Sequence, residues 1–424
     1  MTLEEILAMP EVERKIYYLK KGRKTEQPNA HALYNDWNPN KHEIVIDEEK
    51  YPKIKITTQP EKRITDPSTG KEHVEPAVKK EVDPNRIALP IEQDIVNIQT
   101  AFTVGTEPVL DCQPDGTEEN LLSALKQVFK KNKLKYQNKK VVRAWLAEQE
   151  VAEYWYVVKD DGFWAKLKRK ISGIFGKSKP EYRLKSAIWS PFRGDKLYPF
   201  FNDQGDLIAL SREYKKKDLN DVEITCFMTI TKDMVYQWEL TSNWTDKGSF
   251  AHGFKKMPVI YMYRPEAYCE KIKSLRVRLE KLLSSYADCI DYHFFPILML
   301  FGNVENFSGE FKNRVVELTG QGANAQYLTW SQVPDTVKFE VETLLSQIYG
   351  LTNTPRISFD SLKGTGNAVS GVTFDYVFMS THLNVENLNE TVGEFMQRRV
   401  NFLISALGSV NSCLLYTSPS PRDS

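Results

Sequence analysis

The sequence predicts an α+β protein with a mostly antiparallel sheet and a C-terminal half built on long helices. Three observations carry that expectation. Two amphipathic helical stretches, 117–129 and about 140–148, come first; period-2 segments fill 153–240; beyond 266 the apolar spacing becomes three and four. At 424 residues, the length allows about two to three domains at roughly 150 residues each.

Taken in order, Pro28 to Pro90 holds eight of the 21 prolines, among charges and short alternating runs such as Ile44–Asp47 and Lys53–Ile56. This composition predicts an extended arm with short strands. Ile91 to Ala101 carries apolar residues at 91, 95 and 98, a short helix, and Gly105 and Pro108 then mark a turn. Thr117 is placed to cap a helix with Glu118 and Glu119 in its first turn and Leu121, Leu122, Leu125, Val128 and Phe129 as its stripe. A second helix presents Val141, Val142, Trp145 and Leu146.

Strands are expected at Tyr154–Val158, Tyr182–Leu184, Ala187–Trp189, Leu207–Leu210, Val222–Thr229 and Met234–Leu240, separated by turns such as Asn202–Gly205. Glu266 to Tyr292 is a helix with Ile272, Leu275, Leu279, Leu282, Leu283, Tyr286 and Ile290 as its apolar side, and Pro296 ends or kinks it. Arg314–Thr319 and Gln326–Trp330, joined by Gly320–Ala325, read as a small hairpin. Pro334 opens a helix with Val337, Val341, Leu344, Leu345 and Ile348 on one face and Gly350 past its end. Thr373 to Leu407 is one long amphipathic helix, about 50 Å at 1.5 Å per residue.

Composition narrows the function. Lys+Arg 57 against Asp+Glu 56 gives a net charge of +1, so no chain-wide basic field recruits nucleic acid, and any such contact is local or arises on assembly. Five cysteines stand singly, without metal-knuckle spacing or a disulfide framework, as expected of reduced thiols. The N-terminus lacks the order of a signal peptide, and the most apolar stretch, Phe294 to Phe301, is far shorter than the ~20 residues of a membrane span.

No motif for catalysis, cofactor or metal survives inspection. Gly176-Lys177-Ser178 resembles the end of a phosphate-binding P-loop, but the first glycine of that pattern falls on Ile171. Gly364–Val369 starts like a dinucleotide fingerprint, yet Val369 stands where the third glycine belongs and no strand precedes it. The six histidines never recur at i, i+4, and no compact carboxylate cluster suits a two-metal nuclease. Phe163–Lys170, continuing to Lys179, reads either as a solvated insertion or as a basic membrane or nucleic-acid contact. The basic residues of 266–281 read either as a solvated face or as one turned toward a neighbouring subunit or DNA. Cys413 to Ser424 shows no structural period, and its back-translation resembles a sequencing adapter read in frame. That tail is expected to be non-native, with the natural protein continuing past Ser412.

The order of these parts resembles the portal (connector) proteins of tailed bacteriophages, siphophage-type branch. Phe254–Ile260 is similar to the family's basic-Pro-apolar step into its first stem helix, and Arg314–Thr319 with Gln326–Trp330 to its clip hairpin. Leu344–Pro355 is similar to the second stem helix entering the tunnel loop, Asn367–Val372 to the Asn-x-x-Ser-Gly-Val segment before the long kinked helix, and Leu89–Val109 to the helix before a Gly-x-Pro turn. The likeness covers about 90–408. The insertion at 162–180 and the proline-rich arm have no counterpart in it.

The resemblance implies a mixed wing with antiparallel strands, long stem helices and a small β-hairpin clip. It divides the chain into an extended N-terminal arm (1–88), an α+β wing (89–260), a first stem helix region (261–301), a clip (302–333), a second stem helix (334–351), a tunnel loop (352–372) and a long helix of the wing and core (373–412), before the 413–424 tail. It implies a ring, typically a dodecamer, at one capsid vertex, through which double-stranded DNA is packaged and ejected, with no enzymatic activity, no cofactor and no membrane. The implied partners are a terminase that supplies the energy, a head-completion or adaptor protein, and the major capsid and scaffold proteins, in the virion and, during assembly, the host cytoplasm. The implied channel-loop residues are Thr354, Arg356, Ser358, Lys363, Thr365 and Asn367, with Arg356 and Lys363 as phosphate contacts; the implied clip contacts are Val315, Glu317, Tyr327 and Trp330. Two rival readings are a phage DNA-processing enzyme, a metal-dependent nuclease or nucleotidyl transferase with dispersed catalytic residues, and a generic virion or adaptor protein without a closed ring.

Overall fold

The structure, a computed structural model, describes residues 1–59, 62–65, 72–110, 117–159, 182–217, 221–293, 297–307, 316–328, 334–356 and 371–410. It divides into two compact units, one from 1–37, 92–271 and 352–424 and the other from 38–91 and 272–351.

The first unit is layered. Strands β5 (Glu150–Lys159), β6 (Tyr182–Trp189) and β12 (Val259–Tyr263) form a three-stranded antiparallel sheet, order β12-β5-β6. Strands β7 (Lys196–Phe201), β8 (Leu207–Lys217), β9 (Glu223–Thr231), β10 (Met234–Leu240) and β11 (Trp244–Ala251) form a five-stranded meander. One core joins the sheets, with Ala152, Trp189, Val259 and Tyr261 from one and Leu197, Leu210, Met228, Ile230 and Val235 from the other. Strand alternation sends Phe227 to the opposite face from Met228. There, with Tyr198 and Trp238, it packs against Ile6, Ile16 and Leu19 of helices α1 (Leu3–Ala8) and α2 (Val12–Lys21). Because both faces are covered, β9 reads Cys-Phe-Met-Thr-Ile as a nearly continuous buried run.

Those two helices correct the expectation of an extended arm over 1–88. Thr2 caps α1 in a capping box with Glu5, and the Lys20 ammonium pairs with Glu213 while standing 5.5–5.9 Å from the rings of Tyr198, Phe227 and Trp244. Arg23 reaches the Glu150 carboxylate at 2.7 Å, and Tyr261 donates its hydroxyl to the same oxygen at 2.7 Å. Helix α3 (Ala30–Trp37) follows, with Tyr34 edge-on to Phe192.

Helices α5 (Ile91–Val104), α6 (Thr117–Lys131), α7 (Leu134–Glu148) and the long α10 (Gly371–Val410) complete this unit. The buried face of α10 runs through Thr381, Val385, Leu388, Val392, Phe395, Arg399, Leu403 and Ala406, a three-and-four spacing that includes two polar residues. Arg399 is fully buried and bridges Glu153 through two nitrogens at 2.7 and 3.1 Å, while its third nitrogen donates to Asn138 at 2.5 Å. The bridge ties α10 to β5 and α7.

Three strands of this unit escape the sequence reading: β12, where the chain was expected to step into a helix, β7 and β11. Pro199 interrupts the pattern of β7, which tolerates it as an edge strand. The exposed β11 carries almost no buried side chain and owes its geometry to pairing with β10.

The second unit contains helix α4 (Glu43–Ile46), where a strand was expected at Ile44–Asp47, and strands β1 (Ile54–Gln59), β2 (Lys62–Thr65), β3 (Glu72–Glu75) and β4 (Val78–Val82), paired β1 with β4 and β2 with β3. Helix α8 (Lys273–His293) begins seven residues after the expected Glu266, and its buried positions are Arg276, Leu279, Glu280 and Ser284, whereas Ile290 is exposed. Glu280 accepts from His42 at 2.6 Å, the Leu89 N–H at 2.9 Å and Arg276 at 3.1 Å, so the helix face that reads as charged is an interior one and its carboxylate is hydrogen-bonded. Arg278 of α8 makes a two-nitrogen contact with Glu340 of α9 (Pro334–Leu351) at 2.8 and 2.7 Å.

The expected hairpin within 314–330 is not formed. Val316–Leu328 is a single strand, β14, and its partner is β13 (Ile297–Phe307). Pairing runs from Ile297 opposite Leu328 to Phe307 opposite Val316, and residues 320–323 are extra on β14 where it passes Gly302. Gly320 and Gly322 therefore belong to a bulge, which glycine accommodates as readily as a turn.

Candidate functional site at the root of the glycine-rich loop

The chain that enters the glycine-rich loop is held by a buried polar cluster in the first unit. After Leu351 the backbone passes through Thr352, Asn353 and Thr354, with Asn353 at φ +47°, a left-handed conformation that asparagine adopts more readily than most residues. Such a segment exposes carbonyl groups that must find donors if they are buried. Gln99 of α5 supplies them. Its side-chain amide lies 3.2 Å from the Thr352 carbonyl, 3.1 Å from that of Asn353 and 2.9 Å from the Thr354 hydroxyl. Tyr268 donates its hydroxyl to the Thr352 carbonyl at 2.6 Å, and Thr381 donates to the Asn353 carbonyl at 2.8 Å.

Asn384 closes the network by donating to Gln99 Oε1 and to the Tyr268 hydroxyl, both at 2.9 Å. Gln99, Thr352 and Thr381 are fully buried, and burial pushes the Tyr268 phenol up to about 12, so it remains a neutral donor. Thr381 and Asn384 lie on α10, the helix that follows the loop, and Thr352–Thr354 precede it. The network therefore joins both sides of the loop at its base.

Amides, hydroxyls and a protonated phenol supply directional hydrogen bonds and no nucleophile or general base. What the arrangement does is mechanical: it fixes where the loop starts. Among the described residues no group of three side chains is placed to hold a metal ion, and no helix is long and apolar enough to cross a membrane.

Of the channel-loop residues singled out in the sequence, Thr354 is buried in this cluster and Arg356 is exposed just beyond it. Thr354 is thus an anchor, not a residue displayed to a ligand. Ser358, Lys363, Thr365 and Asn367 lie outside the described residues. Of the clip residues, Glu317 and Tyr327 lie on β14, opposite Asn306 and Leu298, while Val315 and Trp330 lie outside the described residues. The basic stretch Phe163–Lys179 and the tail Cys413–Ser424 lie outside them too.

Gln99, Tyr268, Thr381 and Asn384 were not singled out from the sequence. The available signal was polar side chains in or beside the apolar stripes of α5 and α10: Gln99 after Ile95 and Val96, and Thr381 and Asn384 ahead of Val385 and Leu388. A polar residue there implies a buried partner without naming it.

Compared with known proteins, residues 40–414 match the model of one family, described as phage portal protein, SPP1 Gp6-like. The match spans α8, α9, the paired strands β13 and β14, the loop root and all of α10. No curated protein matches the chain.

Proposed function

The chain belongs to the phage portal protein family, SPP1 Gp6-like, and from that premise we propose that it forms the ring-shaped channel through which double-stranded DNA enters and leaves the capsid. Portal proteins are structural components of the virion, not enzymes, and assemble as homo-oligomeric rings with capsid and terminase partners. The subunits close as a dodecamer, built in the host cytoplasm with scaffold and major capsid protein. The clip, including Val315, Glu317, Tyr327 and Trp330, receives the terminase and later the head-completion protein. The loop after Thr354 lines the channel, where Arg356 and Lys363 meet passing phosphates while Ser358, Thr365 and Asn367 keep it polar.

The observation that carries this reading is the buried network at the loop root. A loop that meets moving DNA needs a base that does not move, and seven hydrogen-bond contacts from Gln99, Tyr268, Thr381 and Asn384 supply one. A conduit also benefits from few cations in the loop, because each neutralised phosphate strengthens binding and opposes sliding. Negative-stain imaging of the purified protein tests the ring: closed rings with a hole wide enough for a duplex are expected, and a population of monomers alone would overturn it. In a phage carrying R356E/K363E, heads should form while DNA packaging falls; normal packaging would remove these residues from the channel.

A further inference from the structure

A second cationic feature lies away from the loop in sequence. Residues 120–147 contain seven lysines (126, 130, 131, 133, 135, 139 and 140) and Arg143, and not one aspartate or glutamate, in a chain whose net charge is only +1. The stretch forms the C-terminal part of α6, the turn at Asn132 and Lys133, and most of α7. Leu125, Leu134, Val141 and Val142 bury the inner face, which leaves Lys126, Lys130, Lys133 and Lys135 exposed on the outer one. None of these four has an acidic partner among the described residues.

Together with Phe129 and Tyr136, the four line an open cavity of about 480 Å³, to which Glu107 contributes one carboxylate. Tyr136 is 62% exposed. Lys133 stands at φ +53°, a strained left-handed conformation for a lysine, which places a cation at the joint of the two helices.

Chemistry decides among possible ligands. A compact anion is held by convergent, buried donors, whereas these ammonium groups are exposed and spread over two helices. Lysine is depleted in protein–protein interfaces, where aromatic and arginine anchors dominate, and this surface offers lysines with one exposed ring. Exposed lysines on two adjoining helices suit an extended chain of phosphates, bound through release of its counterions. We propose that the α6–α7 turn is a binding site for the phosphate backbone of duplex DNA, with Lys126, Lys130, Lys133 and Lys135 as the contacts. The site is separate from the loop residues, so its failure and that of the channel reading are distinguishable.

The test is anisotropy of a short labelled duplex with the full chain, as salt rises from about 50 to about 200 mM. Four phosphate contacts give a log–log slope near −3.6, a loss of roughly a hundred-fold across that range. In K126E/K130E/K133E/K135E most of that affinity and slope should vanish, while R356E/K363E keeps them. An unchanged slope in the quadruple variant would overturn the proposal. So would competition by polyglutamate as strong as by unlabelled duplex of equal charge, since that is the behaviour of an acidic-protein site. Should the quadruple variant fail to fold, lysine acetylation of the unaltered protein decides: the duplex should protect these four lysines and not the exposed Lys232, and equal labelling refutes the site.

Discussion

At the loop root, Gln99 Nε2 lies within reach of three acceptors on 352–354, so Gln99→Leu takes one donor from each of two buried carbonyls, which keep Tyr268 and Thr381, and takes the Oε1 acceptor from Asn384. The expected cost is about 1 kcal/mol, read as a lower denaturant midpoint with an unchanged slope. Arg399 is a stronger case, because its removal strands the buried Glu153 carboxylate. Arg399→Met should cost about 3–5 kcal/mol, and adding Glu153→Gln should recover part of that; a simple sum of the two losses would refute the pairing. Glu148 adds a pH dependence. Burial pushes its carboxyl up from 4.5 to about 7, against the opposing hydrogen bond from the Phe192 N–H at 2.7 Å. A folded pKa above the unfolded one means the group favours folding fully below about pH 4.5 and loses that contribution as pH rises through 7. Glu148→Gln should flatten the decline, measured as denaturation midpoints across that window, and an unaltered profile would assign it to other groups. The polar residues behind these predictions are visible in the sequence, but their partners lie between 44 and 285 positions away and no local pattern reveals them.

Among the elements, helices α1 and α2 cover Tyr198, Phe227 and Trp238 on the outer face of the five-stranded sheet. Deleting residues 1–21 should expose that aromatic surface, seen as strong binding of a hydrophobic dye and a lower melting temperature; a monomeric, dye-silent product would show that the helices are dispensable. The strands with both an apolar run and a clear turn, such as Met234–Leu240, are legible at the residue level. The edge strands of the five-stranded sheet are not, since β7 carries a proline and β11 is nearly all exposed. The glycines at 320 and 322 mislead for the same reason that they are useful: a backbone without a Cβ suits a turn and a bulge equally, and only the distant partner β13 decides between them.

For the whole molecule, membership in the portal family fits a long chain without a catalytic motif, because that family is structural and not enzymatic. Negative-stain images decide whether the subunits close into the proposed ring. The sequence alone determined the α+β class, the presence of three long helices, expected at 266–292, from 334 and at 373–407 and found at 273–293, 334–351 and 371–410, and the family, because periodicity and motif order survive without knowledge of contacts. The tertiary structure decided which face of α8 is interior, that 1–37 folds with the sheets, that 316–328 is one strand, and that Thr354 is an anchor. Each of those turns on buried polar pairs or strand partners far apart in the chain. A local period reports which residues share a face, and only packing settles what that face meets.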